Sequence, residues 1–161
     1  MSDFVHLHVH SEFSLLDGLC KIPNLVNKAK KHGQKALALT DHGTMYGAMH
    51  FYNECHKQGI KPIIGLEAYM AKKSRKNKQT RPGADQNHLT LLAKNFKGYQ
   101  NLMRLTSIAH LEGFSYKPRI DEETLFKHSE GLIVMSGCAG SFFNRLLRDG
   151  KQSEAEVTRF C

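Results

Sequence analysis

No stretch of this sequence reaches the roughly 20 consecutive apolar residues that a membrane-crossing helix needs. Its first residues mix Asp3, three histidines and Glu12, so the charged start and unbroken apolar core of a secretory signal are missing as well. A soluble protein that stays inside the cell is expected. Cysteine is sparse and scattered, at positions 20, 55, 138 and 161, with no C-x-x-C pair; this excludes a disulfide scaffold and fits a reducing cytoplasm. Acid is the minority charge, with 15 Asp and Glu against 23 Lys and Arg and a net charge of +8. An anionic partner such as nucleic acid or a phosphate ester is favoured. The 161 residues, 40% of them hydrophobic, suffice for one domain with a real core and not for two.

What the chain does contain begins at "FVHLHVHS", residues 4 to 11, where His6, His8 and His10 alternate with Val5, Leu7 and Val9. In a strand this spacing puts the imidazoles on one face and the aliphatic side chains on the other. Strand and helix then take turns. "IPNLVNKAKKHG" reads as a helix, with Pro23 in its first turn and Gly33 as its stop, and "KALALTD" as a short buried strand. "GAMHFYNECHKQG" reads as a second helix and "IKPIIGLEAYMA" as a third strand. Three such steps predict a parallel sheet or barrel. "NHLTLLAKN" is a further strand, "KGYQNLMRLTSIAHLEG" and "DEETLFKHSEG" are helices, "GLIVMSG" is another buried strand, and "SFFNRLLRDG" and "KQSEAEVTRFC" are helical. No internal repeat interrupts this order.

Residues 72–86 form a basic loop, with Lys72, Lys73, Arg75, Lys76, Lys78 and Arg81 packed into ten positions. They could track a phosphate backbone. A plainly solvated loop is the alternative, because no aromatic residue is interleaved for base stacking.

In β/α architectures reactive groups collect at the carboxyl ends of strands. That rule selects His8, His10, Asp17, Asp41, His42, Glu67, His88 and Cys138. His6 has the right face but sits deeper in its strand, so it is expected to support the site or pack. His32, His50, His56, His110 and His128 lie on helices or helix ends and are assigned to structure. Imidazole, carboxylate and thiolate are ligands for divalent metals, and Glu67 could bridge two ions. Two ions roughly 3.5–4 Å apart can clamp both oxygens of a phosphoester and activate water, so the expected chemistry is phosphoester hydrolysis.

The ordered set "HLHVHSEFSLLDG", "LALTDHGTMYGA", "IKPIIGLEAYM", "HLTLLAKN", "GYQNLMRLTS" and "HSEGLIVMSGC" closely resembles the PHP (polymerase and histidinol phosphatase) domain over residues 4–150. Within that family it is most similar to the N-terminal segment of bacterial replicative DNA polymerase alpha subunits. The resemblance implies an α/β fold, a distorted (β/α)7 TIM-like barrel, with a trinuclear centre. His8, His10 and Glu67 would hold the first ion, Glu67, His88 and Cys138 the second, and Asp17 and His42 the third. The implied cofactors are two to three divalent ions, Zn2+ or Mn2+, with Mg2+ or Fe2+ as alternatives. The implied activity is 3′–5′ exonuclease proofreading in DNA replication, with His8, His10 and Glu67 catalytic through bound metal. The implied partners are DNA, the remainder of a polymerase chain and other replicase subunits such as a proofreading exonuclease subunit.

The family pattern continues to a further motif, with an Asp and a His, beyond position 161. Residues 1–161 are therefore expected to be a single PHP domain truncated before its last metal-binding motif, with a barrel incomplete at its C-terminal end, weak occupancy of the third site and doubtful exonuclease activity in isolation. No polymerase palm carboxylates are identifiable, so nucleotide addition would belong to a continuation of the chain. Two rival functions stand beside this reading. One is a stand-alone phosphatase for a substrate such as histidinol phosphate, against which "SEFSLLDG", "GTMYGA" and "KNFKGYQNLMRLTS" speak. The other is a catalytically silent module that supports a polymerase or docks its partners.

Overall fold

The computed structural model describes residues 4–15, 17–78, 81, 86–148 and 150. Its elements are α1 (Ile22–Lys31), β1 (Ala36–Leu39), α2 (Ala48–Gln58), β2 (Lys61–Met70), β3 (Asn87–Ala93), α3 (Phe96–Leu111), β4 (Arg119–Ile120), α4 (Glu122–Lys127), β5 (Leu132–Met135) and α5 (Phe142–Arg148). The last expected helix, "KQSEAEVTRFC", lies outside the described residues. Among them no helix is long and apolar enough to cross a membrane.

The histidine-rich opening is extended but is not a regular strand. It runs beside β1, where Ala38 N–H donates to His6 O (2.9 Å) and Thr40 N–H to Val9 O (2.8 Å). Three steps on one side therefore answer two on the other, as in a bulge. Val9 N–H turns instead to Thr40 Oγ1 at 2.9 Å. The irregularity falls between His6 and the other two histidines and breaks their shared face. His6 is exposed, with its ring edge-on to Phe4, while His8 and His10 face inward.

The sheet order is β1-β2-β3-β5, with β4 paired to β2. β1 and β4 run parallel to β2, β3 runs antiparallel to β2, and β5 runs antiparallel to β3. The expected all-parallel sheet is thus corrected to a mixed one. Parallel neighbours need a long crossover, commonly a helix, whereas β2 and β3 are joined by the basic loop, and the chain turns back on itself. Among the described strands β3 alone is reversed. Its reversal places its first residues at the same end as the last residues of β1, β2 and β5, which is the end where the candidate ligands gather.

Two apolar clusters support this platform. α1 and α2 pack Ile22, Val26, Phe51 and Cys55 against Leu37 and Leu39 of β1. On the other side Leu102, Leu105 and Ala109 of α3 meet Leu66, Ala68 and Met70 of β2 and Leu89 and Leu91 of β3. Alternation along β2 then sends Glu67 and Tyr69 to the opposite face. α2 ends at Gly59, whose φ of 73° is left-handed. α4 begins in a capping box built by Asp121 and Thr124. β5 was expected to be buried, yet Ile133 and Val134 are 47% and 46% exposed. Its apolar run has β3 as its paired neighbour and stands at the end of the described strand order.

Candidate metal centre

Glu67 is fully buried. Its backbone is fixed between β1 and the turn beyond it, since Glu67 N–H donates to Asp41 O (3.1 Å) and Gly43 N–H donates to Glu67 O (2.9 Å). Four imidazoles surround the carboxylate. His8 Nε2 lies 3.3 Å from Oε1, His10 Nε2 3.3 Å from Oε2, His42 Nδ1 2.6 Å from Oε2 and His88 Nδ1 2.9 Å from Oε1. Cys138 Sγ is 3.5 Å from Oε1 and 3.4 Å from His88 Nδ1. Asp17, whose side chain is largely exposed, meets His42 Nε2 at 3.0 Å. The segments carrying these groups are remote in sequence, and the strand directions described above bring them to one rim.

The arrangement leaves polar atoms without partners. Among the described residues, His8 Nε2, His10 Nδ1, His42 Nδ1 and Glu67 Oε2 are buried without a partner at good hydrogen-bonding geometry, although His8 and His42 lie against the carboxylate. Buried polar atoms are normally paired. Convergent imidazole lone pairs and a carboxylate are instead the donor set of a divalent cation, which would satisfy them together. Among the described residues two groupings have ligand atoms within 4.8 Å of one another: His8, His10 and Glu67, and His42, Glu67 and His88. The second differs from the expected sharing, because it joins His42 to Glu67 and His88 and leaves Cys138 at its edge. Glu67 belongs to both.

The titration of these groups follows from their surroundings. Burial works against ionisation of Glu67, but His42, His8 and His88 outweigh it and hold the carboxyl well below the usual range. The same carboxylate draws His42 upward against burial. Burial, helped by the stacked His42 ring 4.0 Å away, pushes His10 down. Burial and the nearby Glu67 charge raise the Cys138 thiol. Tyr69, on the same face as Glu67, is pushed up to about 12 by burial and by Glu67. Its ring stacks 6.1 Å from His42 and stands edge-on 5.1 Å from His88.

Asp41 does not face the pocket. Its carboxylate accepts from Ser11 N–H (2.6 Å), Ser11 Oγ (2.8 Å) and Ser14 Oγ (2.7 Å), while Ser14 Oγ accepts from His42 N–H at 3.1 Å. It ties the turn after His10, the turn that leads to Asp17, to the end of β1. Asp41→Ala removes three acceptor contacts from a buried cluster and is expected to destabilise the fold by about 2–4 kcal/mol. Loss of this support should also weaken divalent-metal affinity by roughly 10–100-fold. Metal titration with a thermal melt checks both, and an unchanged affinity would contradict the role.

The basic loop separates into parts. Arg75 is removed from the expected phosphate-tracking set, because it is 8% exposed and points inward. Its guanidinium meets Asp121 at 3.0 Å, Glu112 at 2.7 Å and Glu123 at 3.3 Å, a better arrangement for a cation than open solvent. Lys78 Nζ donates to Phe114 O at 2.8 Å. Lys72, Lys73, Lys76 and Arg81 are on the surface. His110, assigned to structure, lies with Nε2 3.0 Å from Gly43 O. Sequence reasoning passed over Tyr69, although its position two residues after Glu67 on one strand was a usable signal. It also passed over Arg119, which is fully buried, and for that no local signal existed.

Comparison with known proteins follows the same line. The family description "PHP domain" matches residues 6–159. The DNA polymerase III subunit alpha of Borreliella burgdorferi is 54% identical over 156 residues, which is 96% of this chain and 14% of that protein. The protein of the same name from Treponema pallidum is 53% identical over 154 residues, 95% of this chain and 13% of its own length. The chain thus spans a small part of the curated relatives it matches. Among solved structures, an amidohydrolase from Chromobacterium violaceum with bound sulfate and no metal aligns over 65% of this chain and 32% of its own, at 21% identity and a TM-score of 0.47.

Proposed function

The chain belongs to the PHP domain family, and on that premise we propose that it is the metal-dependent phosphoesterase module of a bacterial replicative DNA polymerase alpha subunit, acting on the 3′ ends of DNA. The single observation that carries the reading is a fully buried glutamate ringed by four histidines, with Glu67 Oε2, His8 Nε2 and His42 Nδ1 buried there and short of a well-formed hydrogen bond. The 54% and 53% identity to proteins named DNA polymerase III subunit alpha supports this branch over a free-standing histidinol-phosphate phosphatase. Nucleotide addition, contact with other replicase subunits, a cytoplasmic location and completion of a PHP-type barrel belong to the same proposal.

His8, His10 and Glu67 would hold one ion, Glu67 and His88 with His42 or Cys138 a second, and Asp17 with His42 a third. Zn2+ or Mn2+ suits this donor set. Bound there, such ions supply a nucleophilic water near neutral pH and offset charge on the phosphoryl oxygens. The protein's own part is placement. The β1, β2 and β3 ends fix three donors, the Asp41 brace holds the turn leading to Asp17, and Tyr69 walls one side with an apolar ring.

In the full chain, Mn2+- or Zn2+-dependent release of nucleotides from a 3′ end is expected, and His8→Ala is expected to slow it by at least roughly 100-fold. Equal release by wild type and His8→Ala would refute the reading. No release with either ion would favour a silent supporting module.

A further inference from the structure

The basic loop lacks aromatic residues of its own, but the fold supplies them. The turn from Gly113 to Lys117 packs against that loop, and the two are built around one buried side chain. Arg119 donates to Gly113 O (3.2 Å), Arg75 O (3.1 Å) and Asn77 O (2.6 Å). Lys78 Nζ closes the contact on Phe114 O. Phe114 and Tyr116 are each 51% exposed on this turn, beside Lys117 and, at Phe114, in contact with Lys78 of the loop.

The turn also borders the candidate metal centre. Gly43, directly after His42, has no room for a side chain, since a Cβ would lie 2.8 Å from Pro118 Cγ and 3.1 Å from the Tyr69 ring. His110 reaches Gly43 O from the same side, and its ring lies 6.2 Å from Phe114. Lys117 Nζ sits 5.5 Å over the Tyr69 ring, and that ring stacks 6.1 Å from His42. One aromatic ring therefore separates a lysine from the histidines.

Tyr116 adds an independent sign. Its φ is 61°, the left-handed region, where a bulky side chain is rarely found. Ser115 N–H donates to Lys117 O at 3.1 Å, closing a tight turn over it. Such strain persists where surrounding contacts enforce it and concentrates at ligand-binding sites. Exposed rings next to cations are the surface that single-stranded nucleic acid uses, with bases stacked on the rings and phosphates met by the cations.

We propose that the Gly113–Lys117 turn, with Lys78 of the basic loop docked on it, is a single-stranded DNA subsite beside the metal centre: Phe114 and Tyr116 stack bases, and Lys117 meets a backbone phosphate. The inference rests on the phosphoesterase reading for its substrate and names the path the strand takes. It favours an extended polynucleotide over a small phosphomonoester, which carries no run of bases to stack on both rings.

The test is photocrosslinking of the full chain to a single-stranded oligonucleotide carrying 5-iododeoxyuridine near its 3′ end, at several salt concentrations. Crosslinks are expected at Phe114 or Tyr116. Tyr116→Phe should retain them, while Phe114→Leu with Tyr116→Leu should lower the yield roughly tenfold. Lys117→Ala should flatten the dependence of affinity on salt by about one charge. Crosslinks confined to residues outside 113–117, or a yield untouched by loss of both rings, would overturn the proposal and leave the turn as a contact for other parts of the protein. Nucleotide release is read on the same samples, which keeps the two failures apart. Release without a crosslink at the turn sinks the subsite alone; a crosslink there without release supports the subsite and sinks the phosphoesterase reading.

Discussion

Glu67→Gln is expected to lower divalent-metal affinity by at least about 100-fold and to remove the stabilisation that metal gives the fold. The substitution preserves shape, so packing around the fully buried side chain survives. What disappears is the charge. The carboxylate lies within 3.3 Å of His8, His10, His42 and His88, and it is the one residue common to both ligand groupings. An amide there would turn a donor toward one of the imidazoles and leave a dication among neutral nitrogens, with its charge uncompensated. A metal present at 100 times its dissociation constant stabilises by about 2.7 kcal/mol, which for a domain of this size raises the melting temperature by roughly 5–11 °C. Melting curves with and without Mn2+ or Zn2+ should show that rise for the wild type and no more than about 2 °C for Glu67→Gln. An equal rise in both would show that Glu67 is not the bridge.

Arg119→Met should destabilise the fold by about 3–5 kcal/mol. Methionine replaces much of the buried stem but none of the donors. The carbonyls of Gly113, Arg75 and Asn77, which the guanidinium now serves, would be left short of partners where water does not easily reach. Arg119→Lys should recover only part of the loss, because a point charge cannot span three acceptors as a planar fork does. The same change should loosen the basic loop from the aromatic turn, so trypsin is expected to cut after Lys76 or Lys78 faster than in the wild type. A loss of stability below about 0.5 kcal/mol, the range of ordinary surface changes, would contradict the bracing role.

The two predictions concern features that differ greatly in how far the sequence discloses them. His8, His10, His42, Glu67, His88 and Cys138 could be selected by one rule, that reactive groups gather at strand ends, and the structure brings all six side chains to one pocket. The rule succeeded partly for a reason it did not contain. His88 opens β3, and it reaches the shared rim because β3 runs against β2. A parallel β3 would have carried it to the far end. The only trace of that reversal in the sequence is the want of a helix between Met70 and Asn87.

Other features depended on partners too distant to be read locally. Period-two spacing gave His6 the same face as His8 and His10, and an extra residue opposite β1 removed it. The basic run treated six cations alike, yet Arg75 is claimed by Asp121, 46 residues away. β4 is two residues long and carries no periodicity at all. Apolar content marked β5 as buried, but burial of a strand is decided by what lies on either side of it, and the run Leu132–Met135 says nothing about its neighbours.

The central claim is that the histidines and the buried glutamate gather around cations and not merely around one another. Anomalous diffraction at the metal's absorption edge, from crystals grown with Zn2+ or Mn2+, tests it most directly. The account predicts peaks about 2.0–2.2 Å from ligand atoms of His8, His10 and Glu67, and of Glu67 with His42 and His88. A pocket free of anomalous signal, with the imidazoles bonded straight to the carboxylate, would contradict it.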